Sequence, residues 1–309
     1  MRAVRRIPGE GNLAVSGIER IRAQTPIVEL KNYTYLYRGS NSHALSHVTA
    51  RIEKGDFVGV LGCNGAGKTT LCKSIAGILP YVVGGSWEGE IDVDGKSLQD
   101  SGGTHAVGLV GIVLQNAESQ FTQPTVEDEI AFALCNFGYE RTLMRQRVAF
   151  AAKACGLTAV LGRSPYQLSG GQQQRLAIAC VLALQPQVMI LDETTSQLDP
   201  EGRDEIFRLV GKMNQEGKTI IMAEHDVERL AEFASKLLVL DKGSLVAFAP
   251  TSDVLGNVEL LLKHHVRVPQ VTEAAFRLGS QLPSMRRLPI DLEEATAVFE
   301  VWKRGSVHA

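Results

Sequence analysis

An apolar run at residues 57–61 is followed at once by Gly62-Cys63-Asn64-Gly65-Ala66-Gly67-Lys68-Thr69. A helical pattern then begins at Lys68 and runs to residue 79. Strand, glycine-rich turn and helix in that order predict a phosphate-binding loop of the form G-x-x-x-x-G-K-T in an α/β sheet. A triphosphate carries several negative charges, so binding it takes many donors at close range. Gly62, Gly65 and Gly67 have no Cβ, which lets backbone N–H groups approach. The start of the helix adds its positive dipole end. Lys68 is spaced to reach the β- and γ-phosphates, and the Thr69 hydroxyl to coordinate Mg²⁺. Asn64 and Thr70 belong to the same stretch and are taken as binding residues with it.

The rest of the chain alternates. Short apolar runs at 27–30, 33–37, 90–93, 109–114, 188–191, 219–223, 236–240 and 244–248 read as strands. Helical periodicity marks 126–156 in at least two pieces, then 172–184 (stopped before Pro186), 200–214 and the vicinity of 227–234. Alternation of this kind predicts a mainly parallel sheet. Residues 1–25 read as a mobile tail and 26–250 as the main domain, with a helical subdomain at about 116–168. Residues 251–309 read as a separate C-terminal helical extension broken by Pro269, Pro283 and Pro289.

A net charge of −2 gives no bulk attraction to nucleic acid or anionic lipid. Apolar runs such as 176–184 fall well short of the ~20 residues a spanning helix needs. The basic start, Met1 to Arg6, has no apolar stretch behind it and is not a secretory signal. The five cysteines have no metal-ligand spacing and suggest reduced thiols in a cytoplasm; Cys63 reads as a tolerated small side chain.

Two further segments carry chemistry. Residues 188–191 form an apolar strand ending in Asp192 and Glu193, beside the phosphate loop in such folds. Asp192 would hold Mg²⁺, and Glu193 would accept a proton from the attacking water. Leu168-Ser169-Gly170-Gly171-Gln172 precedes a long helix, so free N–H groups at its N-terminus make a second anion site.

In their order these motifs resemble the ABC-type ATPases over residues 27–249. The resemblance implies a P-loop NTPase core with an antiparallel β subdomain and a helical subdomain. It implies that Tyr37 stacks on adenine, with Tyr35 a weaker candidate, and that Gln115 senses Mg²⁺ and the attacking water. Ser196-Gln197-Leu198-Asp199 matches the loop that crosses between paired subunits, and His225 the switch histidine at the γ-phosphate. ATP on Lys68 of one cassette would then be covered by Ser169, Gly170, Gly171 and Gln172 of another. One departure is Thr194, where the family usually has proline after the catalytic glutamate; Glu193 is present, so hydrolysis is expected to survive.

A finer resemblance lies in Gly111-Ile112-Val113-Leu114-Gln115-Asn116-Ala117-Glu118-Ser119-Gln120-Phe121 and in the segment from Thr125 to Phe132. It is similar to the ATPases of energy-coupling factor transporters, which commonly read Gln-Asn-Pro and Asn-Gln-Phe where this chain has Ala117 and Ser119. The tail from 268–272 to 288–295 is similar to C-terminal extensions of that group, which implies that it helps pair two ATPases; the alternative is a plain helical cap over the core. The finer resemblance implies a peripheral ATPase on the cytoplasmic face of a membrane, powering uptake of vitamins or transition-metal ions. Its partners would be a second ATPase, identical or paralogous, a transmembrane coupling subunit and a membrane-embedded substrate-binding subunit, with no nucleic acid. Phe121 and Phe132 would pack or dock there, with core packing an equal reading for Phe132. Alternatives are the ATPase of a conventional importer with a soluble binding protein, or a non-transport ABC ATPase acting on ribosomes or nucleic acid.

Overall fold

The computed structural model describes residues 26–116, 119, 121–279 and 287–306. The expected tail 1–25 lies outside these, as do Ala117, Glu118, Gln120 and Pro283. Ten strands form one sheet: β1 Val28–Leu36, β2 Leu45–Ile52, β3 Phe57–Leu61, β4 Ser86–Val93, β5 Lys96–Ser97, β6 Val110–Val113, β7 Val188–Asp192, β8 Thr219–Ala223, β9 Lys236–Asp241 and β10 Ser244–Pro250. Their order across the sheet is β5-β4-β1-β2-β10-β9-β3-β8-β7-β6. The helices are α1 Lys68–Ile75, α2 Val126–Asn136, α3 Arg141–Ala154, α4 Gly170–Ala183, α5 Pro200–Gln215, α6 Val227–Phe233, α7 Thr251–Leu255, α8 Val258–Lys263, α9 Gln270–Leu278 and α10 Leu292–Ser306.

The expected α/β architecture is present. Strands β9, β3, β8, β7 and β6 run parallel. Every residue of β3, β7 and β8 is buried, which is why each reads as an apolar run, with Asp192 and Thr219 polar only at the strand ends. Strands β1, β2, β4 and β5 pair antiparallel at the other end of the sheet. The parallel pairing puts the C-terminal ends of β3, β8, β7 and β6 at one edge, in that order. The loops bearing Lys68, His225, Glu193 and Gln115 therefore leave the sheet side by side.

Four local expectations need correction. Runs 27–30 and 33–37 form a single strand, β1, whose register shifts between Leu30 and Tyr33 around Asn32, at φ 51°. Strand β2 was not foreseen; its buried Leu45, Val48, Ala50 and Ile52 are separated by exposed or half-buried residues, a weak signal beside the all-buried strands. Helix α1 stops at Ile75 instead of residue 79. Gly77, at φ +71°, turns the chain so tightly that a Cβ there would meet the Gly103 carbonyl oxygen at 2.8 Å. Strand β4 starts at Ser86, earlier than the foreseen 90.

The C-terminal extension is not separate from the core. Val254, Leu255, Val258, Leu261, Val266, Val268 and Ile290 belong to the apolar cluster that also holds Met189, Leu191, Phe207 and Met222. Phe121 is buried in that cluster, whereas Phe132 is 43% exposed and does not serve as core.

Candidate nucleotide-binding site

Lys68 opens α1 directly from Gly67, whose φ of 106° is left-handed and whose hypothetical Cβ would meet the Ala44 carbonyl oxygen at 2.7 Å. Only glycine satisfies both constraints. The Lys68 side chain is buried at 4% exposure. Its Nζ donates to the carbonyls of Gly62 (2.9 Å) and Cys63 (3.3 Å). The same ammonium lies 3.2 Å from Glu193 Oε1 and 3.4 Å from His225 Nε2. A buried ammonium needs such partners, and they also fix its direction.

Three loops converge on Glu193. Oε1 is 3.2 Å from His225 Nε2, and Oε2 accepts from Gln115 Nε2 at 3.3 Å. The Glu193 backbone is left-handed, at φ 52°, and is pinned by its N–H donating to the Ala223 carbonyl at 2.9 Å. A non-glycine residue held there costs on the order of 1 kcal/mol. Beside it, Thr69 Oγ1 donates to Asp192 Oδ1 at 3.0 Å. Asp192 is 2% exposed, and burial is the main cause that raises its pKa, with the Thr69 hydrogen bond opposing it.

Tyr37, Asn64, Gly65, Gly67, Lys68, Thr69 and Thr70 line one open cleft of about 500 Å³, with Gln115 and Glu193 on its wall and Ala44 at its edge. Ala44 escaped the sequence reading because it lies outside every motif and reaches the cleft only through the fold. Tyr37 OH lies 3.2 Å from Thr70 Oγ1, and its ring meets Tyr35 edge-on at 4.9 Å. Tyr35 itself is fully buried and hydrogen-bonds the Gly84 carbonyl, so it is not available for stacking.

Ser169, Gly170, Gly171 and Asp199 line a different cleft, of about 380 Å³, shared with Arg175 and Gln197. Ser169 caps α4 with a reciprocal capping box to Gln172. The Gln172 side chain is thus turned back onto the Ser169 N–H (3.1 Å). Asp199 Oδ1 caps α5 through the Gly202 N–H at 2.8 Å. Within one chain, the foreseen residues therefore separate into two surfaces.

Residues 45–196 match the family described as ABC transporter. The energy-coupling factor transporter ATP-binding protein EcfA1 of Mycoplasmopsis pulmonis is 39% identical over 259 residues, spanning 84% of this chain and 96% of that protein. The chain belongs to the ABC transporter ATPases. The solved structure of cbiO1 from Clostridium perfringens, described as part of the ABC transporter complex cbiONQ, superposes with a TM-score of 0.69 at 31% identity, covering 81% of this chain and 99% of that one. A dimeric ATP-binding cassette, MJ0796, solved in a post-hydrolysis state with ADP and Pi, gives a TM-score of 0.63 at 28% identity over 72% of this chain and 98% of that one. The expected ABC fold and an ATP-hydrolysing transporter subunit of the energy-coupling factor type both hold.

Sequence reading of this ABC ATPase passed over Glu224, next to His225. It is 3% exposed, and burial is the main cause that pushes its carboxyl from 4.5 up to about 7. The raised value means that the folded chain keeps a proton which the unfolded chain releases. The group's contribution is therefore fully present below about pH 4.5 and is lost as pH rises through 7. Glu224→Gln should stabilise the fold relative to the parent at pH 8, by up to a few kcal/mol at about 1.4 kcal/mol per pH unit, and so raise its Tm there. At pH 4.5 the gain should vanish. A thermal melt series across pH checks this; a pH-independent difference would rule out the buried charge as its cause.

Proposed function

We propose that this chain powers an energy-coupling-factor-type importer as one of two cassettes that close head to tail around ATP. The supporting observation is the division of the site into two clefts. The Lys68 cleft offers a cation and the phosphate loop, and the Ser169–Gly171 cleft offers an outward-facing helix start. A triphosphate seated on one would be covered by the other only from a second chain. That chain is identical or paralogous, and ATP is the ligand that joins the two.

Lys68 and the backbone of Asn64, Gly65, Gly67 and Thr70 hold the phosphates. Tyr37, fixed by Thr70 and Tyr35 at the cleft mouth, presents its ring to adenine. Thr69 Oγ1 and the Asp192 carboxylate are hard oxygen donors 3.0 Å apart. That pair suits Mg²⁺, which takes few protein ligands and fills its octahedron with water and phosphate oxygens; Gln115 faces the same region. Bound there, Mg²⁺ would neutralise phosphate charge. Glu193 accepts the proton of the attacking water at a carboxylate oxygen, and His225 faces the γ-phosphate and orients that carboxylate.

Phe132, half-exposed on α2, belongs to the surface that receives the transmembrane coupling subunit. Among the described residues no helix is long and apolar enough to cross a membrane. In this reading, which follows the relatives named as energy-coupling factor ATPases, the chain works peripherally on the cytoplasmic face, with a membrane-embedded subunit binding the vitamin or transition-metal cargo. Exposed Phe276, Leu292 and Val301 on α9 and α10 give the extension an apolar surface for pairing.

Purification of the tagged chain from detergent-solubilised membranes of its host tests the assembly. A polytopic coupling subunit with a small membrane-embedded binding protein is the expected result. A conventional permease pair would move the chain to another class of importer. Ribosomes or nucleic acid in place of membrane proteins would overturn the transport reading.

A further inference from the structure

Glu224 is a buried acid that touches neither cleft. Among the described residues no cation pairs with it, and such a carboxyl costs stability unless it is used. Its Oε1 accepts the Thr195 backbone N–H at 3.0 Å, and the carboxyl also takes hydrogen bonds from the Thr195 side chain and the His225 backbone. Thr195 is 1% exposed, so that N–H has no water to turn to. Two rungs thus join the 193–199 segment to the end of β8, Glu193 N–H to the Ala223 carbonyl and Thr195 N–H to Glu224.

Each end of this braced unit leads to a different part of the site. On one side, His225 follows Glu224 in the chain and reaches Glu193 and Lys68. On the other, Gln197, Leu198 and Asp199 line the second cleft. The turn between is stiff: Ser196 Oγ donates to the Glu193 carbonyl (3.0 Å), and Leu198 N–H to the Thr195 carbonyl (3.1 Å). Thr194 adds no brace of its own, because its buried hydroxyl has no partner among the described residues.

We propose that Glu224 is a positioning residue whose side chain locks the 193–199 segment to the switch-histidine loop, so that Glu193, His225 and the residues facing the second cleft move as one body. The two ATP sites of a pair are then mechanically linked through this acid. The proposal rests on the reading of Glu193 and His225 as the reacting pair.

The test uses the full chain and three variants. Glu224→Met keeps the volume, removes the acceptor and deletes a buried charge, so folding is expected; Glu224→Ala serves if Met misfolds. Glu224→Gln keeps a carbonyl oxygen that accepts from the same N–H. Glu193→Gln is run alongside. Steady-state ATP hydrolysis and hydrogen exchange of the 192–199 peptide are measured. Glu224→Met should lower kcat about tenfold with KM for ATP within about twofold, and speed exchange across 193–199. Glu224→Gln should restore both. Parent-like kcat and exchange in Glu224→Met, or a loss in Glu224→Gln as large as in Glu224→Met, would overturn the brace while leaving the site reading intact, provided Glu193→Gln is inactive. Parent-like turnover in Glu193→Gln would instead overturn the site reading on which the brace depends.

Discussion

Glu193→Gln is expected to cut ATP turnover at least a hundredfold while leaving ATP bound and the chain paired. The carboxylate meets Lys68, His225 and Gln115 within 3.3 Å. An amide of the same shape keeps an oxygen for Lys68 and His225, so the cleft stays built. What it lacks is basicity: it cannot take a proton from water. General-base contributions of about 10²–10⁴ in rate set the size of the loss. Ground-state contacts to the phosphates come from Lys68 and the loop, so ATP affinity should change little. With hydrolysis blocked, the shared triphosphate persists and the closed pair accumulates. Light scattering after gel filtration with ATP should show a dimer for the variant and a mainly monomeric parent once its ATP is consumed. Turnover at the parent rate would show that another group is the base.

The residues that such tests address were largely legible in the sequence, for a physical reason. Phosphate chemistry demands particular residues at fixed spacing, and strands β3, β7 and β8 announce themselves because burial on both faces leaves their interiors apolar, with Asp192 and Thr219 only at strand ends. What stayed hidden depended on neighbours far along the chain. Strand β2 is half exposed and gains its place from pairing with β1 and β10. The end of α1 is set by Gly103, which contacts Gly77 across the intervening β4–β5 hairpin. Tyr35 and Tyr37 look alike in sequence; only the fold shows that the first is enclosed while the second faces the cleft. Nothing in the sequence marks Glu224 beyond its place beside a histidine. It is buried because the 193–199 segment folds over the end of β8. The C-terminal extension, broken by prolines, reads as an appendage, yet its apolar residues join a core that begins as far back as Phe57.

Gly171→Asp is expected to abolish pairing and turnover without disturbing the fold or ATP binding to a single chain. Gly171 lies in the first turn of α4, its φ is not left-handed, and a Cβ there would meet nothing within 4 Å. The chain itself therefore has no steric need for glycine at this position, unlike Gly67, where backbone closes in. An aspartate in the first turn even complements the helix dipole, so stability should change by no more than about 1 kcal/mol. The need for a bare backbone must come from something that approaches from outside. In a head-to-tail pair that is the triphosphate on the partner's Lys68, and a carboxylate set against it costs several kcal/mol by like-charge repulsion. Turnover should fall more than a hundredfold, and the dimer trapped by Glu193→Gln should disappear when Gly171→Asp is added. Because Gly171 and Lys68 line separate clefts of one chain, binding of a fluorescent ATP analogue by the monomer should stay within about twofold of the parent. Two results would count against this arrangement. If the variant pairs and hydrolyses normally, the Ser169–Gly171 segment does not cover phosphates. If monomer binding is lost together with pairing, both clefts serve a nucleotide held within one chain.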